Sequence, residues 1–311
     1  MSRNLIVEFS KMQGAGNDFV VIDNRFLHFT REELSDIARK VCRRKLGVGA
    51  DGLLAFEAAP DNVSLDDAPT EGEALPVDFR MVYVNADGSP ATMCGNGARC
   101  IAQFAVRSGV EGPDVSFVTD AGVYQAHVYS AAHATDSDSD EPGERVRLFV
   151  PEPQHWTESC SLDRSLPRGV DNVHFVWTGT EHLVALVPDV DDVPLEEWGP
   201  LLRWDPALQP EGANLNVVSS TNGQKGSIRV RTFEKGVEAE TLACGTGVLA
   251  SAIATAKLRN FGLAIRSLRV DTRGGPVTVG RATSQERSDH LYLEGPVASV
   301  FRGTFEWSGL G

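Results

Sequence analysis

Nowhere in its 311 residues does the chain hold 18 consecutive apolar side chains, which excludes a helical membrane span. Its five cysteines, at 42, 94, 100, 160 and 244, include no C-x-x-C pair, so neither a zinc site nor a disulfide framework is expected. Positive charge is scarce. Against 43 acidic residues stand 29 basic ones, of which six are lysine, and the net charge of −14 would repel a phosphate backbone. The opening segment carries Glu8 where a signal peptide needs an unbroken apolar core. These absences predict a soluble cytoplasmic protein with free thiols, no metal, and no nucleic-acid or membrane partner. A salt-adapted host accounts for the acidic balance, and a GC-rich genome accounts for the arginine excess alone.

The chain does contain the same short pattern twice. Cys94-Gly95-Asn96-Gly97 leads into Ala98, Ile101, Ala102 and Ala105, and Cys244-Gly245-Thr246-Gly247 leads into Val248, Leu249, Ala252, Ile253 and Ala256. The spacing is helical, and the small side chains predict helices packed on all sides. The two cysteines are 150 residues apart in a chain of 311, which suggests a duplicated unit with one thiol at a helix start in each copy.

Strand-like segments predict the rest. Leu5–Phe9 and Phe19–Asp23 flank a glycine-containing loop, and Thr30-Arg31-Glu32-Glu33 is a capping box from which a helix should run to about Arg44. Residues 57–76 and 131–145 read as acidic solvated loops, with Asp136–Glu141 disordered. Further strands are expected at 145–150, 172–176, 183–187, 214–218, 227–233, 276–280 and 290–294. The segment 298–302 is a candidate to return to the first half. The expected architecture is α+β, with domains at 1–132, completed by 298–311, and at 145–297.

The unpaired N–H groups and partial positive charge of a helix start favour thiolate over thiol. Glycines beside the cysteine let an anion approach those groups. Two thiols facing one α-carbon would act as base and acid and invert it without pyridoxal phosphate or metal. Cys42, Cys100 and Cys160 lack the pattern and read as core residues.

With these motifs the chain resembles the diaminopimelate epimerases. The marks are Gly16-Asn17-Asp18-Phe19, Gly47-Val48-Gly49-Ala50-Asp51-Gly52, Asn85-Ala86-Asp87-Gly88-Ser89 and Glu240-Thr241-Leu242-Ala243-Cys244-Gly245-Thr246-Gly247. The resemblance implies two pseudo-symmetric domains, each a curved, mostly antiparallel sheet around a central helix. It implies a cofactor-independent enzyme that interconverts L,L- and meso-diaminopimelate on the route to lysine and peptidoglycan. Cys94 and Cys244 then match the acid–base pair, and His182 and Glu234 the pair that tunes them. Gly95, Asn96, Gly245 and Thr246 match the residues holding the reacting carboxylate. Asn17, Asn85, Asn214, Thr180, Glu234 and Lys235 match contacts to the rest of the substrate, and a homodimer is left open.

Three positions depart from the family pattern. Thr180 replaces a substrate-binding Asn, Lys235 replaces an Arg, and Gly52 stands where some members carry Gln. Lysine loses the bidentate fork that arginine offers a carboxylate. Glu240 competes with Glu234 for the motif glutamate. A related racemase acting on another amino acid is therefore the alternative. From other classes, a thiol hydrolase pairing one cysteine with His182 and a dithiol redox enzyme are weaker readings, since the first needs no second matched cysteine.

Overall fold

The computed structural model describes residues 4–60, 76–129, 144–221, 226–258, 267–282 and 290–309. The chain divides into two compact units, Met1–Phe149 with Gly295–Gly311, and Val150–Glu294.

In the first unit β1 (Asn4–Gly14) and β2 (Asn17–Asp23) form a hairpin closed by Ala15 and Gly16 at φ of +51° and +89°. Two left-handed central residues define the turn whose twist matches flanking strands. The chain then forms α1 (Arg31–Val41), β3 (Gly52–Ala58) parallel to β2, and antiparallel β4 (Phe79–Asn85) and β5 (Pro90–Ala91). Next come α2 (Gly95–Arg107), β6 (Asp114–Thr119) parallel to β4, and antiparallel β7 (Gly122–Tyr129) and β8 (Glu144–Phe149). The terminal strand Leu291–Ser308 pairs with β1 from Ala298 to Ser308.

The second unit repeats that order. After β9 (His155–Thr157), the strands β10 (Val173–Trp177) and β11 (Glu181–Leu186) form the hairpin. There follow α3 (Leu195–Arg203), β12 (Asn214–Ser220) parallel to β11, and antiparallel β13 (Ser227–Glu234) and β14 (Ala239–Thr241). Then come α4 (Gly245–Leu258), β15 (Ser267–Thr272) parallel to β13, and antiparallel β16 (Gly275–Arg281) and β17 (Leu291–Ser308). The duplication expected from two cysteine motifs is thus written in the strand pairing, and the α+β class with two pseudo-symmetric domains holds.

Strand alternation explains how each sheet serves two helices. Val20, Ile22, Leu53 and Ala55 pack in one cluster with Leu34, Ile37, Ala38 and Val41 of α1. The alternate residues turn to α2: a Cβ on Gly97 would meet Leu54 at 3.2 Å and Phe19 at 3.4 Å, and Phe56 meets the Phe104 ring at 5.8 Å. Strands covered on both faces read as unbroken apolar runs, as Phe19–Ile22 and Leu53–Phe56 do. In the second unit Leu183, Ala185, Leu215, Val217 and Phe233 cluster with Leu195 and Leu202 of α3. Both cysteine-led helices are buried around most of their circumference.

Local differences from the sequence reading have physical causes. The Thr30–Glu33 capping box is present, but α1 ends at Val41 rather than Arg44. There Gly49 and Ala50 N–H groups bond the carbonyls of Val41 and Cys42, turning the chain back over the helix end. A Cβ on Gly47 would lie 2.6 Å from the Lys40 and Val41 oxygens, so this return needs glycine. Glu57 and Ala58 belong to β3, and Glu144 and Arg145 to β8, so both acidic loops are shorter than expected. Asp136–Glu141 lies outside the described residues.

Helix α3 has no counterpart in the sequence reading, because Gly199 and Pro200 sit inside it. Packing explains it: a Cβ on Gly199 would collide with the ring of Phe233. Gly199→Ala is therefore expected to lower stability by about 1–3 kcal/mol in urea unfolding. On an open helix face the same change would raise it by about 1 kcal/mol, so the sign reports the contact.

Candidate active site

Both cysteines stand where chain geometry makes a helix start. Cys94 is the extended N-cap of α2 (φ −143°, ψ 118°), and its carbonyl accepts the Ala98 N–H at 2.7 Å. The Cys244 carbonyl accepts the Val248 N–H at 2.8 Å in the same way. The Cys94 side chain makes no capping bond to its own helix. Helices α1 and α3 carry their own carboxylates in the first turn, Glu32 and Glu33, and Glu196 and Glu197. The first turns of α2 and α4 carry none. The positive end of each of these helix dipoles is thus met by no carboxylate from its own first turn, the setting in which a helix start can take an anion.

The second glycine of each motif has a packing role. A Cβ on Gly97 would sit 3.5 Å from Cys94 Cβ as well as against Leu54, and one on Gly247 would collide with Asn216 Oδ1. Each helix start is pressed on its sheet at that point.

In the first unit a line of amides runs from a cation to a carboxylate. Arg99 Nη2 donates to Asn96 Oδ1 at 2.7 Å, Asn96 Nδ2 to Asn17 Oδ1 at 2.5 Å, and Asn17 Nδ2 to Asp51 Oδ2 at 3.0 Å. The donor at one end and the acceptor at the other fix both amide orientations. Arg44 holds the other Asp51 oxygen at 2.9 Å. Asn85 is engaged elsewhere, donating to Ser89 Oγ at 3.0 Å. At Gly52 a Cβ would lie 2.6 Å from the Tyr83 ring and 2.7 Å from the Val84 carbonyl, so a glutamine has no room here.

In the second unit alternation places His182, Asn214, Asn216 and Thr232 on the sheet face opposite the α3 cluster. His182 is fully buried, and Asn216 Nδ2 donates to its Nδ1 at 3.1 Å and to the Leu183 carbonyl at 2.9 Å. Thr232 Oγ1 donates to Asn216 Oδ1 at 2.9 Å, which fixes that amide. His182 Nδ1 is therefore the acceptor, and the ring proton sits on Nε2, which is enclosed without a protein partner. Cys244 Sγ lies 3.4 Å from Thr246 Oγ1.

Asn214 ties two turns together, its Oδ1 accepting the Lys235 N–H at 2.7 Å and its Nδ2 donating to the Glu181 carbonyl at 3.0 Å. Lys235 Nζ donates to Glu181 Oε2 at 2.6 Å, and Thr180 Oγ1 to the same oxygen at 3.1 Å. Burial acts to raise the Glu181 carboxyl, but the Lys235 bond and charge outweigh it and hold the group below its ordinary range. The ambiguous glutamates separate clearly. Glu240 is gripped by Arg231 at 2.7 and 2.8 Å and by Arg273 at 3.0 Å, whereas Glu234 ends β13 half-buried.

Burial pushes the His182 pKa down to about 3. An unfolded histidine titrates near 6.5. Between the two values the unfolded chain binds a proton that the folded protein refuses, so stability falls as pH drops through that window. The slope is about 1.4 kcal/mol per pH unit. His182→Gln is expected to remove about 2 kcal/mol of the stability lost between pH 7 and pH 5, read by urea unfolding. An unchanged loss would mean that folded His182 already carries the proton.

Asn17 and Asn96 thus meet, Thr180, Asn214 and Lys235 converge on Glu181, and Gly95 and Gly245 open their helices. Arg99, Asp51, Glu181 and Asn216 were not picked out from the sequence. Asn216 had a signal, since it lies two residues along the strand from Asn214 and so on the same face.

A family profile described as diaminopimelate epimerase matches residues 9–143 and 174–300, which takes in every one of these groups. The chain belongs to the diaminopimelate epimerase family. The diaminopimelate epimerase of Aquifex aeolicus is 38% identical over 304 residues, covering 96% of this chain and 97% of that protein. That of Chlorobaculum tepidum is 36% identical over 297 residues, covering 94% and 99%. Among solved structures, a Bacillus anthracis phenazine biosynthesis protein of the PhzF family superposes with a TM-score of 0.67 at 15% identity, covering 97% and 99%. A hydroxyproline epimerase from Agrobacterium vitis gives 0.60 at 16% identity, covering 97% and 92%. At such identities the likeness is one of fold. Among the described residues of this family member, no helix is long and apolar enough to cross a membrane.

Proposed function

We propose that the protein epimerises L,L-diaminopimelate to meso-diaminopimelate without a cofactor, with Cys94 and Cys244 as the acid–base pair. The observation that carries this reading is the pair of helix starts. Each has a cysteine at its lip, a first turn without acid, and the same carbonyl-to-N–H bond closing the turn. A substrate α-carboxylate would take the N–H groups of Gly95, Asn96, Gly245 and Thr246. One thiolate would then remove the α-proton while the other thiol protonates the opposite face, giving inversion. The developing carbanion needs electrostatic stabilisation, and donors of this kind are worth about 3–4 kcal/mol each in oxyanion sites. Neutral His182 and half-buried Glu234 would tune the thiols, and Asn17, Asn85, Asn214, Thr180 and Lys235 would contact the distal end. A cytoplasmic location suits thiols that have to stay reduced.

One observation favours the neighbouring reading, a related epimerase with a different amino acid. Lys235, expected at the distal carboxylate, is already neutralised by Glu181 at 2.6 Å. The deciding experiment is proton NMR of the reduced protein with L,L-diaminopimelate in D₂O, with chiral analysis of the product. Loss of the α-proton signal with appearance of the meso isomer is expected. No exchange with free thiols, and turnover of a mono-carboxylate amino acid instead, would hand the site to the second reading.

A further inference from the structure

Each unit sets its cysteine-led helix on the same place of a matching sheet. In the first unit β2 and β3 run parallel with Phe19 beside Gly52 and Val21 beside Leu54, and Leu54 faces Tyr83 on β4. In the second, His182 stands beside Asn214 and Val184 beside Asn216, and Asn216 faces Thr232 on β13. Phe19, Leu54 and Tyr83 therefore correspond to His182, Asn216 and Thr232. The second glycine of each motif agrees. A Cβ on Gly97 would meet Leu54, Phe19 and Cys94 Cβ at 3.2, 3.4 and 3.5 Å. One on Gly247 would collide with Asn216 Oδ1 and meet Thr232 Oγ1 and Cys244 Cβ at 3.2 and 3.3 Å.

The same frame is thus filled twice with different chemistry. Phe19 and Leu54 lie fully buried under the first helix start and meet it with carbon. His182 and Asn216 are just as fully buried under the second, with Thr232 almost so. Burying polar groups costs free energy that their hydrogen bonds only offset. The first unit shows that the frame closes over apolar side chains, so holding the helix start in place does not call for the polar set.

What the polar set does is fix a proton. Thr232 Oγ1 donates to Asn216 Oδ1 at 2.9 Å, and the two Asn216 amide hydrogens go to His182 Nδ1 at 3.1 Å and to the Leu183 carbonyl at 2.9 Å. The Nδ1 lone pair is occupied, and Nε2 carries the ring hydrogen. A ring held this way has no nitrogen free to take a proton; it can only donate from Nε2. That donor is enclosed with no protein partner. A buried donor left unmet costs about 1–3 kcal/mol, and Phe19 at the corresponding position bears no such cost.

We propose that Asn216 is a positioning residue, holding His182 as a neutral Nε2–H donor, so that His182 serves proton transfer at the Cys244 helix start by donating a hydrogen bond and takes no proton itself. This rests on reading Cys244 as one of the acid–base pair. It also sets His182 against the role of general base that a thiol hydrolase would give it, because neither ring nitrogen offers a lone pair.

Ring nitrogen-15 NMR of the substrate-free protein reads the tautomer directly, with His182→Gln assigning the signal among seven histidines. The wild-type ring is expected to show a bare Nδ1 and a protonated Nε2. Asn216→Asp keeps the shape of the side chain but can only accept, so it should place a proton on Nδ1. Its kcat is expected to fall at least about tenfold with KM little changed, since one well-placed donor is worth about 10²–10³ in kcat. A loss confined to kcat, together with a moved ring proton, is not what a merely structural role would give. Thr232→Val removes the donor that orients the amide and should give a mixture of tautomers with a smaller loss of kcat. Should Asn216→Asp not fold, Thr232→Val and the wild-type tautomer still decide. The combination His182→Phe, Asn216→Leu and Thr232→Val, which carries the apolar filling of the first unit across, should fold and lose kcat. A bare Nε2 in the wild-type ring overturns the assignment, as does an Nδ1 left bare in Asn216→Asp, or a proton placed there with kcat unchanged. Tautomers as expected in a protein that exchanges no α-proton from diaminopimelate would uphold the hold of Asn216 on His182 and overturn the epimerase reading instead.

Discussion

Cys94→Ala and Cys244→Ala are each expected to lose epimerisation by at least about 10³-fold while remaining folded. Positioned proton transfer contributes about 10²–10⁴-fold to a single step. Inversion needs two such transfers on opposite faces, so either loss breaks the cycle. An alanine fits both places. Cys94 is a partly exposed N-cap whose side chain does not cap its helix, and Cys244 is a small group beside Thr246. Stability should change little beyond the loss of one sulfur. The two variants need not be alike in D₂O. A variant that keeps its base but lacks the opposite acid can still wash out the α-proton with retention, so exchange without inversion would be a positive sign of the two-base scheme. Cys160→Ala, outside the motif, provides the control for a generic effect of thiol loss. Wild-type inversion in either motif variant would end the scheme.

What was readable in the sequence was what short-range chemistry fixes. The Thr30–Glu33 capping box starts α1, and the two Cys-Gly-X-Gly runs start α2 and α4. Apolar runs such as Phe19–Ile22 mark strands covered on both sides. Family motifs named the cysteines, the paired amides and Asn214. Unread were features that exist only once distant segments meet. Helix α3 contains a glycine and a proline, and owes its place to the Phe233 ring beneath Gly199. A lone arginine in a helix reads as a solvated charge, yet Arg99 is wholly enclosed. Segments 290–294 and 298–302 looked like two strands because Gly295 and Pro296 interrupt the pattern, yet β17 runs through both to Ser308. The pairing of Lys235 with Glu181 joins residues 54 positions apart, and no local pattern announces it.

The two glutamates that compete for one role should part in opposite directions. Glu240 and Arg231 are nearly enclosed, with side chains 10% and 9% exposed, and share two hydrogen bonds of 2.7 and 2.8 Å. Arg231 also donates to the carbonyls of Val190 and Val193 at 2.6 and 2.9 Å, so one guanidinium fastens β13 to the turn after β11. The Glu240 bond, above all, raises the Arg231 pKa beyond its ordinary value, against the effect of burial. Removing one partner of a buried pair leaves the other charge uncompensated, at a cost of about 3–5 kcal/mol. Arg273 still meets Glu240 at 3.0 Å, so Arg231→Met should lower stability by about 3 kcal/mol, the lower end of that range, in urea unfolding. Glu240→Gln should lose less, since Arg231 keeps its two carbonyls. The double variant should be milder than the sum, because its second change no longer strands a charge. Glu234→Gln is expected to leave the unfolding midpoint nearly unchanged and to lower kcat instead. If Glu240→Gln loses activity at full stability while Glu234→Gln unfolds the protein, the roles are reversed and Glu240 is the motif glutamate. The geometry favours the first outcome, because a carboxylate held by two arginines is already committed to holding the fold together.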